Sequence, residues 1–218
     1  MAGRYGKRFF LRLAAILAAG AACIAAAAWY RRSLRPTQAP EEVQREGREI
    51  VMDVLEGVGA TAFGQSERGR LLSETIGRLV AQRSVVFTTK IEAQALYRRE
   101  ADGYEMLYVR VLRLSGRYVH RPPEWIAEAV YHEAVHARTP RDATSIEEEC
   151  DGFAAGLAAG AAIEGRELPD VLTIEGRPVA EFVLGNYPDA PRNRAYQPVG
   201  ESRAWLLART GLRPPADD

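Results

Sequence analysis

Three histidines occur in this 218-residue chain, and two of them, His132 and His136, stand four apart around Glu133. On an α-helix each residue advances about 100°, so positions four apart lie about 40° from one another, one turn along the same face. Two neutral imidazoles so placed can share one divalent cation. Glu133, within about 100° of both, stands near such an ion but angled towards a water bound to it. H-E-x-x-H on a helix is the pattern in which two histidines bind Zn²⁺ and the glutamate serves as general base. A solvated surface helix with incidental histidines would carry charged neighbours, whereas Ala134, Val135 and Ala137 are uncharged.

A catalytic zinc takes three protein ligands and keeps one position open for water. The remaining histidine, His120, lies twelve residues before His132 and ahead of two prolines, where it reads as a loop or strand-end residue. The third ligand is therefore expected to be a carboxylate, and the run "EEECD", residues 147–151, supplies four. Glu147 and Asp151 are four apart and share a face, so one could ligate the metal while the other hydrogen-bonds a ligating histidine. Glu148 is the natural partner of Ser145 in a capping box. Helical phase alone does not separate Glu147 from Glu149, and an acidic first turn favoured by the helix dipole explains part of the run.

H-E-x-x-H on one helix followed by E-x-x-x-D on the next resembles the gluzincin group of zinc metallopeptidases. The similarity covers residues 124–160. Prenyl-protease-like and mitochondrial inner-membrane quality-control peptidases carry a similar E-x-x-A-D segment, here Glu147-Glu148-Glu149-Cys150-Asp151. The resemblance implies Zn²⁺ held by His132, His136 and Glu147, with Glu133 activating water and Asp151 orienting a histidine. It also implies an edge strand that pairs with extended substrate, for which 104–113 is the candidate, and an oxyanion helper, for which Tyr187 and Tyr196 are candidates. Arg138 after the motif, Cys150 in place of alanine, and ten residues between His136 and Glu147 depart from the group and imply a compact version of it.

Helices must carry these residues. Pro122 and Pro123 suit the first turn of a helix that bears the histidines and breaks at Thr139-Pro140. A second helix starts at Thr144 or Ser145 and runs to about Ile163, its glycines and alanines leaving room for a neighbouring backbone. Upstream, two helical patterns near 41–57 and 68–82 precede a strand, "SVVFTTK", and a hairpin of 93–100 with 104–114 around Gly103. Further helices are expected near 177–186 and 201–210, separated by a polar, proline-rich loop, 185–198. The fold class is α+β: a minimal zincin-like metallopeptidase domain over residues 36–218, helices with a small sheet.

Residues 1–35 read as a membrane anchor with basic flanks. The stretch 13–30 has no charge, close to the minimum for a spanning helix, and Phe9, Phe10, Trp29 and Tyr30 mark the ends of 9–30. A cleaved signal peptide is the rival, given the small residues of the alanine run. The anchor would make the chain a single-pass membrane protein with its globular part outside the cytoplasm. Of the 29 basic residues seven lie in 1–40, where no acid occurs, so the remaining 22 face 29 acids, a net of −7. That balance argues against a nucleic-acid partner. Cys23 and Cys150 make no disulfide framework.

The expected function is a membrane-anchored zinc metallopeptidase that cleaves a peptide or protein substrate with a zinc-activated water and Glu133 as general base. The alternative is a non-catalytic zincin-like binding protein that presents its cleft or sheet edge to a partner.

Overall fold

The computed structural model describes residues 38–99, 103–139 and 144–214. Helix α1 (Glu41–Gly59) opens with Glu41 and Glu42 at the positive end of its dipole and buries Gly47, Val51, Val54 and Val58 on one stripe. A single turn, α2 (Ala62–Gln65), leads into α3 (Glu67–Ala81), whose N-cap Ser66 accepts a hydrogen bond from the Gly69 amide. A three-stranded sheet follows, made of β1 (Val85–Thr88), β2 (Ala95–Arg99) and β3 (Glu105–Arg110), in the order β1-β3-β2. Strand β3 runs parallel to β1, with Val85 opposite Leu107, and antiparallel to β2, with Tyr97 opposite Leu107.

The expected hairpin is present, but its second arm is not the sheet's edge. Strand β3 lies in the middle, and β1 and β2 form the two edges. The expected run 104–114 also breaks at Val111: β4 (Leu112–Leu114) leaves the sheet to pair with β5 (Arg117–Val119). A last two-stranded piece joins β6 (Thr173–Ile174) to β7 (Arg177–Pro178).

Helix α4 (Pro123–Arg138) begins on its prolines, as the sequence implies. It is buried on most sides: Ile126, Val130, Ala134 and Val135 enter the core shared with α1, α3 and the sheet. Helix α5 (Ile146–Glu164) is capped by the Ser145 hydroxyl and ends on Gly165, whose φ of 66° is the left-handed stop glycine favours. Gly152, Gly156 and Gly160 recur every four residues and form the stripe on which α5 meets α4. A Cβ at Gly156 would stand 2.5 Å from the Glu128 carbonyl oxygen, so the two backbones approach closer than any side chain would permit. The far side of α5 packs Ile146, Cys150 and Ala154 against Val179 and Val183 of α6 (Val179–Asn186) and Leu206 of α7 (Arg203–Thr210). Seven helices and three small sheets among the described residues make a mixed α+β domain.

The expectation of a single-pass membrane protein with an extracytoplasmic domain is corrected here. Among the described residues no helix is long and apolar enough to cross a membrane. The segment on which that expectation rested, 9–30, lies outside the described residues, as does Cys23.

Candidate metal centre

Helix α4 brings His132 and His136 onto one face, as their spacing requires, and their Nε2 atoms lie 3.0 Å apart. One carboxylate oxygen of Glu133 and one ring nitrogen of each histidine fall within 4.8 Å of one another, a group that could hold a metal ion. Glu133 is fixed from the sheet: its Oε2 accepts a hydrogen bond of 2.7 Å from the Tyr97 amide on edge strand β2.

The structure does not bring Glu147 to the histidines. Its side chain is fully buried on the opposite side of α5, where Oε1 takes Arg192 Nε at 2.9 Å and Oε2 takes the Asn193 amide at 2.6 Å. Arg203 adds a second cation at 3.5 Å. Burial works against the charge of Glu147, but these donors hold its carboxyl below the ordinary range. Asp151 shares that face, as four-residue spacing requires, and orients no histidine. Its Oδ1 takes Arg68 at 2.5 Å, and its Oδ2 takes the Tyr196 hydroxyl at 2.9 Å and the Val199 amide at 3.1 Å. The expected pair is thus a pair, turned towards the 185–202 segment.

Glu148 and Glu149 face the histidines instead. Glu148 Oε1 lies 2.8 Å from His136 Nδ1, so it accepts the ring N–H, and His136 Nε2 faces His132. The Glu148 amide does reach Ser145 Oγ, at 3.2 Å, but its carboxylate leaves the cap for the histidine, so only half of the expected capping box forms. Glu149 Oε2 lies 3.4 Å from His132 Nε2, and its Oε1 3.6 Å from His136 Nε2. Oε2 is buried and accepts no hydrogen bond among the described residues. Burial raises the Glu149 carboxyl, yet His132, His136 and the Tyr187 hydroxyl outweigh it and bring it down. In His136 burial disfavours the cation, but the Glu148 hydrogen bond and the charges of Glu133, Glu149 and Glu148 lift its pKa to about 9. Positive charge is wanted at this point.

The spacing fits a metal. Two nitrogens about 2.0–2.1 Å from a tetrahedral zinc lie roughly 3.3–3.4 Å apart, close to the separations of the two Nε2 atoms and the Glu149 oxygens. Room for the ring is provided by α5: a Cβ at Gly152 would stand 3.0 Å from His132 Nε2. Phe153 packs edge-on against His132 with centroids 4.5 Å apart, fixing the ring from the other side.

The other sequence candidates fall elsewhere. Tyr196 is buried on Asp151, and burial first, then the Asp151 charge, raise its pKa. Tyr187, 37% exposed, lines the cleft beside His132 and Glu133, its phenol pushed up to about 12 by burial and by Glu149 and Glu133. His120 sits at the end of β5 against Phe87, ring centroids 5.1 Å apart. Cys150 is a free, buried thiol. Spacing had left Glu149 open beside Glu147, and the structure brings Glu149 to the histidines; the glycine stripe was the signal that separates them. About 200° separates Glu147 from Glu149 on a helix, whereas Glu149, Gly156 and Gly160 lie within about 40° of one another.

Compared with protein-family models, curated proteins and solved structures, the chain matches none. Any functional reading therefore rests on the chemistry of the site.

Proposed function

We propose that this chain is a zinc-dependent peptidase of compact, gluzincin-like type, with His132, His136 and Glu149 as metal ligands and Glu133 as general base. The observation that carries the reading is the buried, unsatisfied Oε2 of Glu149 beside two converging imidazole nitrogens. His132 Nε2, at 3.4 Å, is a weak donor to that buried oxygen, and a divalent cation is the partner that would satisfy it together with both rings. When bound, Zn²⁺ would polarise the scissile carbonyl and make a bound water acidic. Glu133, its carboxylate held towards the cleft by the Tyr97 amide, would be the group that accepts a proton from such a water and passes it to the leaving amine. With a metal bound, the Glu148 hydrogen bond would keep the remaining His136 proton on Nδ1 and give Nε2 to the ion. Tyr187 stays protonated near neutral pH and offers a hydroxyl to developing negative charge on the substrate oxygen.

A second reading, a non-catalytic binding protein of the same design, is favoured by one contact: the edge-strand amide of Tyr97 already occupies Glu133. Bound zinc, peptide hydrolysis and three variants separate the two. The purified chain is expected to carry about one zinc. Glu149→Ala should lose it while Glu147→Ala keeps it. Glu133→Gln should keep the zinc and lose hydrolysis by about 10²–10⁴-fold, the usual cost of a missing general base. Zinc retained in Glu149→Ala overturns the ligand set. Zinc bound with no peptide cleaved leaves the second reading standing.

A further inference from the structure

Beside the histidines a cleft of about 450 Å³ runs along the N-terminal half of α4. Its walls are aromatic and aliphatic: Trp125 from α4, Phe153 and Leu157 from α5, and Phe182 from α6. Phe153 and Phe182 meet edge-on with centroids 5.3 Å apart, so the wall continues unbroken from the His132 ring outward. Three carboxylates also line the cleft, those of Glu128, Glu133 and Glu175, and among the described residues no lysine or arginine does.

The three acids are not equivalent. Glu133 is engaged by the Tyr97 amide, and Glu175 is paired with Arg177 at 3.2 Å. Glu128 has neither kind of partner: no hydrogen bond or ion pair among the described residues reaches its carboxylate. Its side chain lies over Gly160, where a Cβ would stand 2.6 Å from Glu128 Cγ, so the glycine stripe makes the space it occupies. Burial, followed by the charge of Glu164, pushes its carboxyl up against the weaker opposing charge of Arg166, which is itself paired with Glu164. Glu128 is four residues before His132, one turn and about 6 Å along the helix axis. A lysine or arginine stem spans a similar length, packs its methylenes on apolar walls and presents its cation to an acid or an aromatic face.

We infer that this cleft takes a basic side chain of the substrate, a lysine or arginine beside the scissile bond, with Glu128 as the residue that recognises its charge. The inference rests on the peptidase reading for the position of the scissile bond, but not for the pocket. An acidic side chain would meet three carboxylates there, and Arg177, the cation beside Phe182, is already paired with Glu175. A purely aliphatic one would leave Glu128 half-buried without a partner, which costs binding free energy.

The test uses the full chain and acetylated, amidated hexapeptides that carry lysine, arginine, norleucine or glutamate at one position, scanned through the sequence. Hydrolysis is measured with the wild type, and binding by fluorescence anisotropy with Glu133→Gln. At one position lysine or arginine should exceed norleucine by about tenfold or more in kcat/KM and in affinity. Glu128→Gln should cut that ratio to within about twofold, and Glu128→Lys should turn the preference towards glutamate. Glu175→Gln, which alters the already paired acid, should leave the ratio in place. Hydrolysis without a basic preference, or with one that Glu128→Gln does not change, overturns the inference and spares the peptidase reading. Binding of the lysine peptide through Glu128 with no cleavage by the wild type does the reverse. Peptides neither bound nor cleaved overturn both.

Discussion

Glu148 supplies two groups to two tasks, and only one of them depends on its side chain. Its amide donates to Ser145 Oγ and caps α5, which any residue but proline would do at 148. Its carboxylate holds His136 Nδ1 at 2.8 Å, which fixes the ring tautomer and raises the basicity of the other nitrogen. Glu148→Ala should therefore weaken zinc binding about 10–100-fold while the helix cap survives. Titration against a chromophoric chelator, with a thermal melt alongside, separates the two effects; unchanged zinc affinity would remove Glu148 from the centre. At this scale the sequence was half legible. His132, Glu133 and His136 could be read because their relation depends on one helix and its 100° step. Which carboxylate of 147–149 reaches the histidines could not, because three acids in a row differ only in how α5 is rotated against α4. The resemblance to E-x-x-x-D pointed to Glu147, and that residue faces Arg192 and Arg203.

Two helices and one strand edge build the site, and their contact is closer than ordinary side chains permit. Prolines at 122 and 123, the break at Thr139-Pro140 and the Ser145 cap made both ends of α4 and the start of α5 readable to within a residue or two. The crossing was also written in the sequence, as Gly152, Gly156 and Gly160 in steps of four, but a spacing does not name its partner helix. Strand boundaries were less legible. Val111 continues the apolar pattern of β3 without a break, yet the chain turns there, because β4 pairs with β5 rather than with the sheet. Gly152 offers the sharpest test of the element-level design. In a helix interior alanine exceeds glycine by roughly 0.8–1.0 kcal/mol in intrinsic propensity, so Gly152→Ala could even raise stability. Its methyl group would nonetheless stand 3.0 Å from His132 Nε2, and the ring must swing away to admit it. Zinc affinity should fall about tenfold or more in this variant while the melting temperature holds or rises. Unaltered zinc binding would show that the ring has slack and that the glycine serves only the helix crossing.

The segment between α6 and α7 is held to the rest of the molecule by the two acids that sequence reasoning had given to the metal. Glu147 receives Arg192 and the Asn193 amide, and Asp151 receives the Tyr196 hydroxyl and the Val199 amide. These partners lie 45 to 48 residues away in the chain, a separation at which neither periodicity nor capping carries information. Asp151 also takes Arg68 from α3, whose Nη2 donates to the Asp151 carbonyl at 2.7 Å, with both side chains 2% exposed or less. One carboxylate thus joins α3, α5 and the loop that carries Tyr196, while Trp205 of α7 lies against the guanidinium, 4.9 Å from ring to charge. A buried pair of this kind adds modest net stability over an apolar replacement, but removal of one member strands the other charge away from water. Asp151→Ala should accordingly cost about 3–5 kcal/mol in unfolding free energy, measured by chemical denaturation. Arg68→Met with Asp151→Leu, which removes both charges and keeps volume, should recover part of that loss. Because Asp151 touches neither histidine, the zinc affinity of the fraction that remains folded should stay within a few-fold of the wild type. A loss of zinc out of proportion to the loss of fold would return Asp151 to the metal centre and require α5 to sit on α4 with a different rotation.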